Sequence, residues 1–224
     1  MESEERKRTP DYFGDDDDDV LDIGCRPALP SDLPQVAFLA AEFLESVFGP
    51  IVGASASDAV EFLLPILKSR LRHDCTWVIH EGNKVAGMID IETTEIRRLN
   101  GLPIPRSIAA AMNLTERVRA AGLLPLLMHE PENNEAHQSL VAILPGSRAE
   151  GRGTLLLMHG AFWAKAQGKD WMTTWLDADD PVISVYKRRG YFATQEVRSV
   201  TPEGEHTWVL LKRPISPKAL KAIR

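Results

Sequence analysis

A four-residue apolar run, Val141-Ala142-Ile143-Leu144, stops at Pro145, and glycines follow at 146, 151 and 153 before a second, longer apolar run begins. The first run reads as a buried strand whose hydrogen-bond ladder ends at the proline. Leu155, Met158, Phe162 and Ala166 recur at helical spacing, which predicts a helix from near Gly153. A glycine loop between strand and helix lets backbone N–H groups come close to a ligand. The helix start adds unsatisfied donors and the positive end of a dipole, so the stretch suits a phosphate. Its spacing is neither the G-x-x-x-x-G-K-[ST] of nucleotide triphosphatases nor the G-x-G-x-x-G of dinucleotide folds. Taken alone, it also fits an ordinary strand-to-helix turn with structural glycines.

The 224 residues suffice for one large domain, or one domain with a tail. No apolar run approaches the roughly 18 residues that a membrane span needs, and the N-terminus is charged rather than signal-like. Cys25 and Cys75 supply neither a disulfide framework nor a metal spacing, and a reducing, cytoplasmic setting is the simplest expectation. The net charge of −6 is unevenly spread. Residues 1–22 carry ten acids against Arg6, Lys7 and Arg8, which leaves 22 acids against 23 bases elsewhere. The acidity therefore belongs to a tail and says nothing about a cationic substrate.

Along the chain, residues 1–19 lack periodicity and read as a disordered acidic tail. Val20 to Pro27 alternates as a first strand, and Ser31 is placed to cap a helix that Phe48-Gly49-Pro50 should stop. A second helix is expected from Ser57 through Leu71. A hairpin is expected from Cys75–His80 and Val85–Ile91 across a polar turn. Residues 95–106 look irregular, and 107–121 are helical by composition. Trp171–Leu176 reads as a strand. Asp180-Pro181 then opens a helix through Val182, Val185 and Tyr186 that Gly190 closes. Tyr191–Val200 and Thr207–Leu211 form a terminal antiparallel pair. Met88, Met112, Met128, Met158 and Met172 are core candidates.

Three stretches together resemble one family. Arg148, Gly151 and Gly153 fit Arg-x-x-Gly-x-Gly just after a Val/Ile-x-Pro strand end, similar to the acetyl-CoA signature of the GNAT superfamily of N-acetyltransferases. Arg26-Pro27-Ala28 with Asp32 resembles the lead into the family's first helix. Asp180–Tyr191, with Tyr186 and Gly190, resembles its later Asn-x-x-Ala-x-x-x-Tyr-x-x-x-Gly-Phe helix. The resemblance spans roughly residues 20–212. It implies an α/β (α+β) fold with a mixed, largely antiparallel central sheet and helices on both faces. The corresponding division is a tail at 1–19, an acetyltransferase domain at 20–213 and a basic tail at 214–224.

The resemblance also implies roles for particular residues. The strand before the phosphate loop would separate from its neighbour, so that the backbone of Val141 and Ile143 pairs with the pantetheine arm. Arg148, Ala149, Glu150, Gly151, Arg152, Gly153 and Thr154 would cradle the diphosphate, with Ala149 where many members carry glycine. Tyr186 matches the general acid that protonates the departing CoA thiolate, although on pattern alone it is equally a packed helix tyrosine. The family's base position falls near Gln138, which takes no proton, leaving His137, Asp90 and Glu92 as candidate bases. Asp90 and Glu92 share one strand face.

The implied activity is transfer of an acetyl group from acetyl-CoA to a primary amine of a small molecule, by direct attack. Protein or peptide acceptors, and a catalytically silent CoA-binding module, are the alternatives. No metal, nucleic-acid or membrane partner is expected, and the protein is expected to be a monomer or homodimer. The scattered histidines form no ligand cluster, and the basic C-terminus lacks interleaved aromatics.

Overall fold

The computed structural model describes residues 23–52, 74–100, 129–148, 151–201 and 204–217, together with 60, 64, 67, 68, 70 and 71. Ala149, Glu150, the expected helix at 107–121 and both tails lie outside the described residues, as do Met112 and Met128.

The hairpin forms where polar Gly82-Asn83 interrupts two apolar alternating runs, giving β2 (Thr76–Glu81) and β3 (Lys84–Thr93). β1 (Ile23–Pro27) adds antiparallel to β2, and β4 (Glu135–Ile143) antiparallel to β3. β5 (Trp171–Asp177) joins β4 in parallel, and β6 (Phe192–Thr201) and β7 (Gly204–Pro214) complete a seven-stranded sheet in the order β1-β2-β3-β4-β5-β7-β6. The expected mixed, mainly antiparallel sheet is present.

Helices cover both faces. On one, α1 (Leu33–Val52) packs Val36, Ala37, Leu39, Ala40 and Ala41 against Val78, Val85, Met88 and Ala142. On the other, α3 (Arg152–Ala166) packs Leu156, Leu157, Trp163 and Ala164 against Ile79, Ile89 and Ile91. Two short helices are also described, α2 (Thr94–Asn100) and α4 (Ile183–Arg188), and the described residues 60, 64, 67, 68 and 70 of the expected second helix are helical.

Four expectations need correction. The face of α3 is not the Leu155–Met158–Phe162 stripe: Met158 is 46% and Phe162 65% exposed. This helix is apolar nearly all round, so periodicity does not choose a face. Gly160 does, because a side chain there would meet Ile89 Cδ1 at 2.9 Å and Ile91 Cδ1 at 3.0 Å. Second, α1 continues through Gly49 and Pro50 to Val52; proline removes one helical donor, and here the helix carries on for the turn's remainder. Third, Ser31 is not the residue before α1: it lies within a 3-10 turn (Pro30–Asp32) that leads into the helix and that Asp32 closes. Asp32 Oδ2 accepts from Leu29 N at 2.7 Å while Arg26 holds the same carboxylate at 2.6 Å, joining the two ends of the Arg-Pro-Ala-x-x-x-Asp stretch. Fourth, residues 94–100 are helical where irregular chain was expected. Thr93 Oγ1 accepts from Ile96 N at the first turn, a start signal with few apolar residues behind it.

Candidate functional site

β4 is the strand on which the site is built. Its register against β3 slips by one residue: Asp90 faces Leu140 and Ile91 faces Gln138, leaving Ser139 over. A residue inserted in this way bends and twists its strand. On its other edge, β4 pairs with β5 only through Glu135↔Trp171, Ala136↔Met172 and His137↔Thr173. From Gln138 on, the two strands diverge, while β5 stays paired with β7 along its whole length. The bulge stands where the divergence begins, and the β5-facing backbone edge of Val141 and Ile143 is left without a strand partner.

The open edge leads into the glycine loop. A 3-10 turn (Pro145–Ser147) follows β4, and Gly151 enters α3 at φ +77°, the left-handed region where a Cβ is penalised. Gly151 has no side chain with which to cap α3, and among the described residues no side chain caps the first-turn N–H groups at Arg152, Gly153 and Thr154. Side chains built at Gly146, Gly151 or Gly153 would meet nothing within 4 Å. Arg148 is exposed, its Nε–H donating to Ile143 O at 3.3 Å. Arg152 differs: its guanidinium is buried and paired with Glu81, so residue 152 offers the loop its backbone. Arg189, at the end of α4, donates to Thr154 Oγ1 and ties the two motif helices together. An open, uncapped helix start beside a free strand edge fits a diphosphate followed by an extended, amide-bearing arm.

Tyr186 and Tyr191 stand on the α3 side of the opening, edge to face with ring centroids 5.0 Å apart. The Tyr191 hydroxyl donates to Gln138 Oε1 at 3.2 Å, and Gln138 Nε2 is buried without a partner. Burial pushes the Tyr186 phenol well above its ordinary value, so it carries its proton at neutral pH. Tyr191 is pushed up to about 12, again by burial.

The α1 side is ionic. Arg70 donates to both Asp90 and Glu92, and Arg97 of α2 holds the second Glu92 oxygen at 2.7 Å. Asp90 also accepts from Ser139 Oγ at 2.6 Å and Thr76 Oγ1 at 2.8 Å. Burial pushes Asp90 up, with Arg70 and the two hydroxyls pulling against it. For Glu92 burial also acts upward, but the arginines prevail and hold it at about 2. His137, fully enclosed, is pushed down to about 3 by burial and then by His129. Its Nδ1 lies 3.0 Å from Thr173 Oγ1. Of the candidate bases, then, Glu92 is committed to two arginines and His137 resists protonation.

Sequence reasoning missed Arg70, Arg97, Ser139, His129 and Trp175. His129 packs on His137 at 4.5 Å and edge-on to Trp175 at 6.0 Å. An arginine twenty residues before the first of two acids on one strand face was the available signal. Among the described residues, no three His, Cys, Asp or Glu side chains gather as metal ligands, and no helix is long and apolar enough to cross a membrane.

Residues 50–191, more than half of the chain, match the model of the acetyltransferase (GNAT) family. No curated protein matches the chain. Among solved structures, an acetyltransferase is 18% identical with a TM-score of 0.62, covering 86% of this chain and 99% of that one. The PaiA N-acetyltransferase of Thermoplasma acidophilum, in complex with coenzyme A, is 12% identical with a TM-score of 0.52, covering 86% and 98%. The ribosomal-protein-S18-alanine N-acetyltransferase of Escherichia coli is 14% identical with a TM-score of 0.51, covering 87% and 94%. At these identities the likeness is one of fold. With the family model, the strand divergence and the glycine loop in agreement, the chain belongs to the GNAT family of acetyltransferases.

Proposed function

We propose that this acetyltransferase moves the acetyl group of acetyl-CoA to a primary amine of a small molecule, by direct attack and without an acyl-enzyme. The observation that carries this reading is the continuity of the β4–β5 opening with the glycine loop, with open backbone on one side of it and a buried ionic cluster on the other. Asp90, Glu92 and His137 are each 5% exposed or less. Such burial favours a small acceptor over a folded surface.

When bound, acetyl-CoA supplies an activated acyl group. The N–H groups at Arg152, Gly153 and Thr154, with Arg148, hold the diphosphate, and Ala149, Glu150 and Gly151 complete the loop. Val141 and Ile143 orient the pantetheine arm along β4. Tyr186 supplies the proton that the departing sulfur needs, a role for a phenol that stays protonated at neutral pH. Cys25 and Cys75 stand outside this machinery, and burial pushes Cys25 up to about 11, away from a nucleophilic thiolate.

The test is free-thiol release from acetyl-CoA with separate panels of small amines and of peptides. Release with small amines is expected. Release with peptides alone would replace the acceptor class, and tight CoA binding with no turnover on either panel would make the protein a silent CoA-binding module.

A further inference from the structure

His129 stands six residues before β4, yet its ring lies against His137 of that strand and edge-on to Trp175 of β5. Trp175 is two residues beyond Thr173, the last β5 residue paired with β4. His137 and Thr173 join their side chains on one face of the sheet, and strand alternation puts Trp175 on that face as well. His129 therefore sits at the mouth of the opening, on the side away from the glycine loop's helix. Its Nε2 is buried with no hydrogen-bond partner among the described residues, and so is Nε1 of Trp175. Buried polar atoms are nearly always partnered, and two orphans beside one opening mark where a ligand's polar atom would complete them.

The other titratable groups nearby have their contacts filled. Glu92 is shared by Arg70 and Arg97, Asp90 by Arg70, Ser139 and Thr76, and His137 Nδ1 by Thr173. We propose that His129 is a catalytic residue, the base that takes the acceptor amine's proton, with Trp175 Nε1 orienting the acceptor beside it. This rests on the acetyl-transfer reading above. As the C–N bond forms and the C–S bond breaks, the nitrogen's proton passes to His129 Nε2 and the sulfur gains one from Tyr186 Oη. The imidazolium then returns its proton through solvent to the phenolate, which restores both groups.

The surroundings allow that cycle. Burial lowers the His129 imidazole below its ordinary range, so it is free base at neutral pH. Glu135 of β4, Glu92 of β3 and Glu132 of the preceding loop favour its protonated form, while Arg97 of α2 opposes it. His137, the remaining group against it, carries no charge near neutrality. Three carboxylates thus act against the effect of burial on His129.

The experiment uses the full chain, acetyl-CoA and the best small amine of the panel. His129→Gln is expected to lower kcat/KM by about 10²–10⁴-fold and to remove the acid limb of its pH profile, with CoA affinity by calorimetry unchanged. In His129→Ala, added imidazole is expected to restore part of the rate. Wild-type kcat/KM with the acid limb intact in His129→Gln would overturn the assignment. So would a lost rate that imidazole leaves unrestored, or one that falls together with CoA affinity, either of which gives the ring a packing role. A wild-type protein that releases no thiol with any amine would overturn the acetyl-transfer reading itself, and that outcome is distinct from the others.

Discussion

On the α3 side of the opening, residues 145–148 and 151–154 offer mostly backbone: a left-handed glycine, an uncapped helix start and positions where an added Cβ would meet nothing. On the α1 side, side chains from Arg70, β3, α2 and β4 are bonded to one another in a buried ionic network, with the His137–Thr173 pair beside it. The contrast has a consequence for stability as well as binding. A backbone site can be blocked without disturbing the core, because the space in front of Gly146, Gly151 and Gly153 is open. A buried network of charges is part of the core, and removing one member strands the others.

The largest effect is expected on the backbone side. Gly153→Glu places a carboxylate at the diphosphate position in open space, so CoA binding should disappear in calorimetry while thermal unfolding keeps its midpoint. Unchanged CoA affinity would break the contrast at once. Next comes Tyr186→Phe, which keeps the ring and its packing on Tyr191 but removes one proton. Here kcat and kcat/KM should fall together by about 10²–10⁴-fold. Wild-type turnover would return Tyr186 to the role of a packed aromatic.

These two predictions rest on residues that could be read from the sequence, and the reason is geometric. A backbone cradle needs a strand end, glycines and a helix start in immediate succession, so Val141 to Thr154 announce it within one stretch. The hairpin was legible for the same reason, since its turn residues adjoin the strands they join. The helix expected to open at Asp180-Pro181 is present but begins at Ile183, after a turn in which Asp180 Oδ1 accepts from Val182 N. The ionic side was not legible. Arg70, Arg97 and Glu92 meet only after the sheet and two helices have assembled, and His129 reaches His137 by a turn of loop rather than by strand spacing. The face of α3 failed differently: with apolar residues all round, the decision fell to Gly160, whose missing side chain carries no hydrophobic signal.

On the ionic side, Arg70→Met should cost about 3–5 kcal/mol in denaturant unfolding, because Asp90 is left buried without its cation and Glu92 with only Arg97. Adding Asp90→Asn and Glu92→Gln should recover part of that loss. A stable single variant would mean that the network is not tightly held. The smallest effect is the pH dependence. Glu92 is held at about 2 against an ordinary 4.5, and His137 at about 3 against 6.5. For both groups the unfolded chain binds the proton more readily, so their contribution is complete at neutral pH and is lost as the pH falls. Stability should start to decline below pH 6.5 and steepen below 4.5. A flat profile across that window would contradict the enclosure of His137 and the pairing of Glu92 with its arginines.

The central claim is that the diverging strand edge and the glycine loop form one donor site. Hydrogen–deuterium exchange of the full chain, with and without CoA, reads that claim residue by residue. Exchange should slow at residues 138–143 and 151–155 together, and stay unchanged along α1 and in the β6–β7 pair. Protection confined to α1 or to β6–β7, with none at the strand edge and the loop, would contradict it.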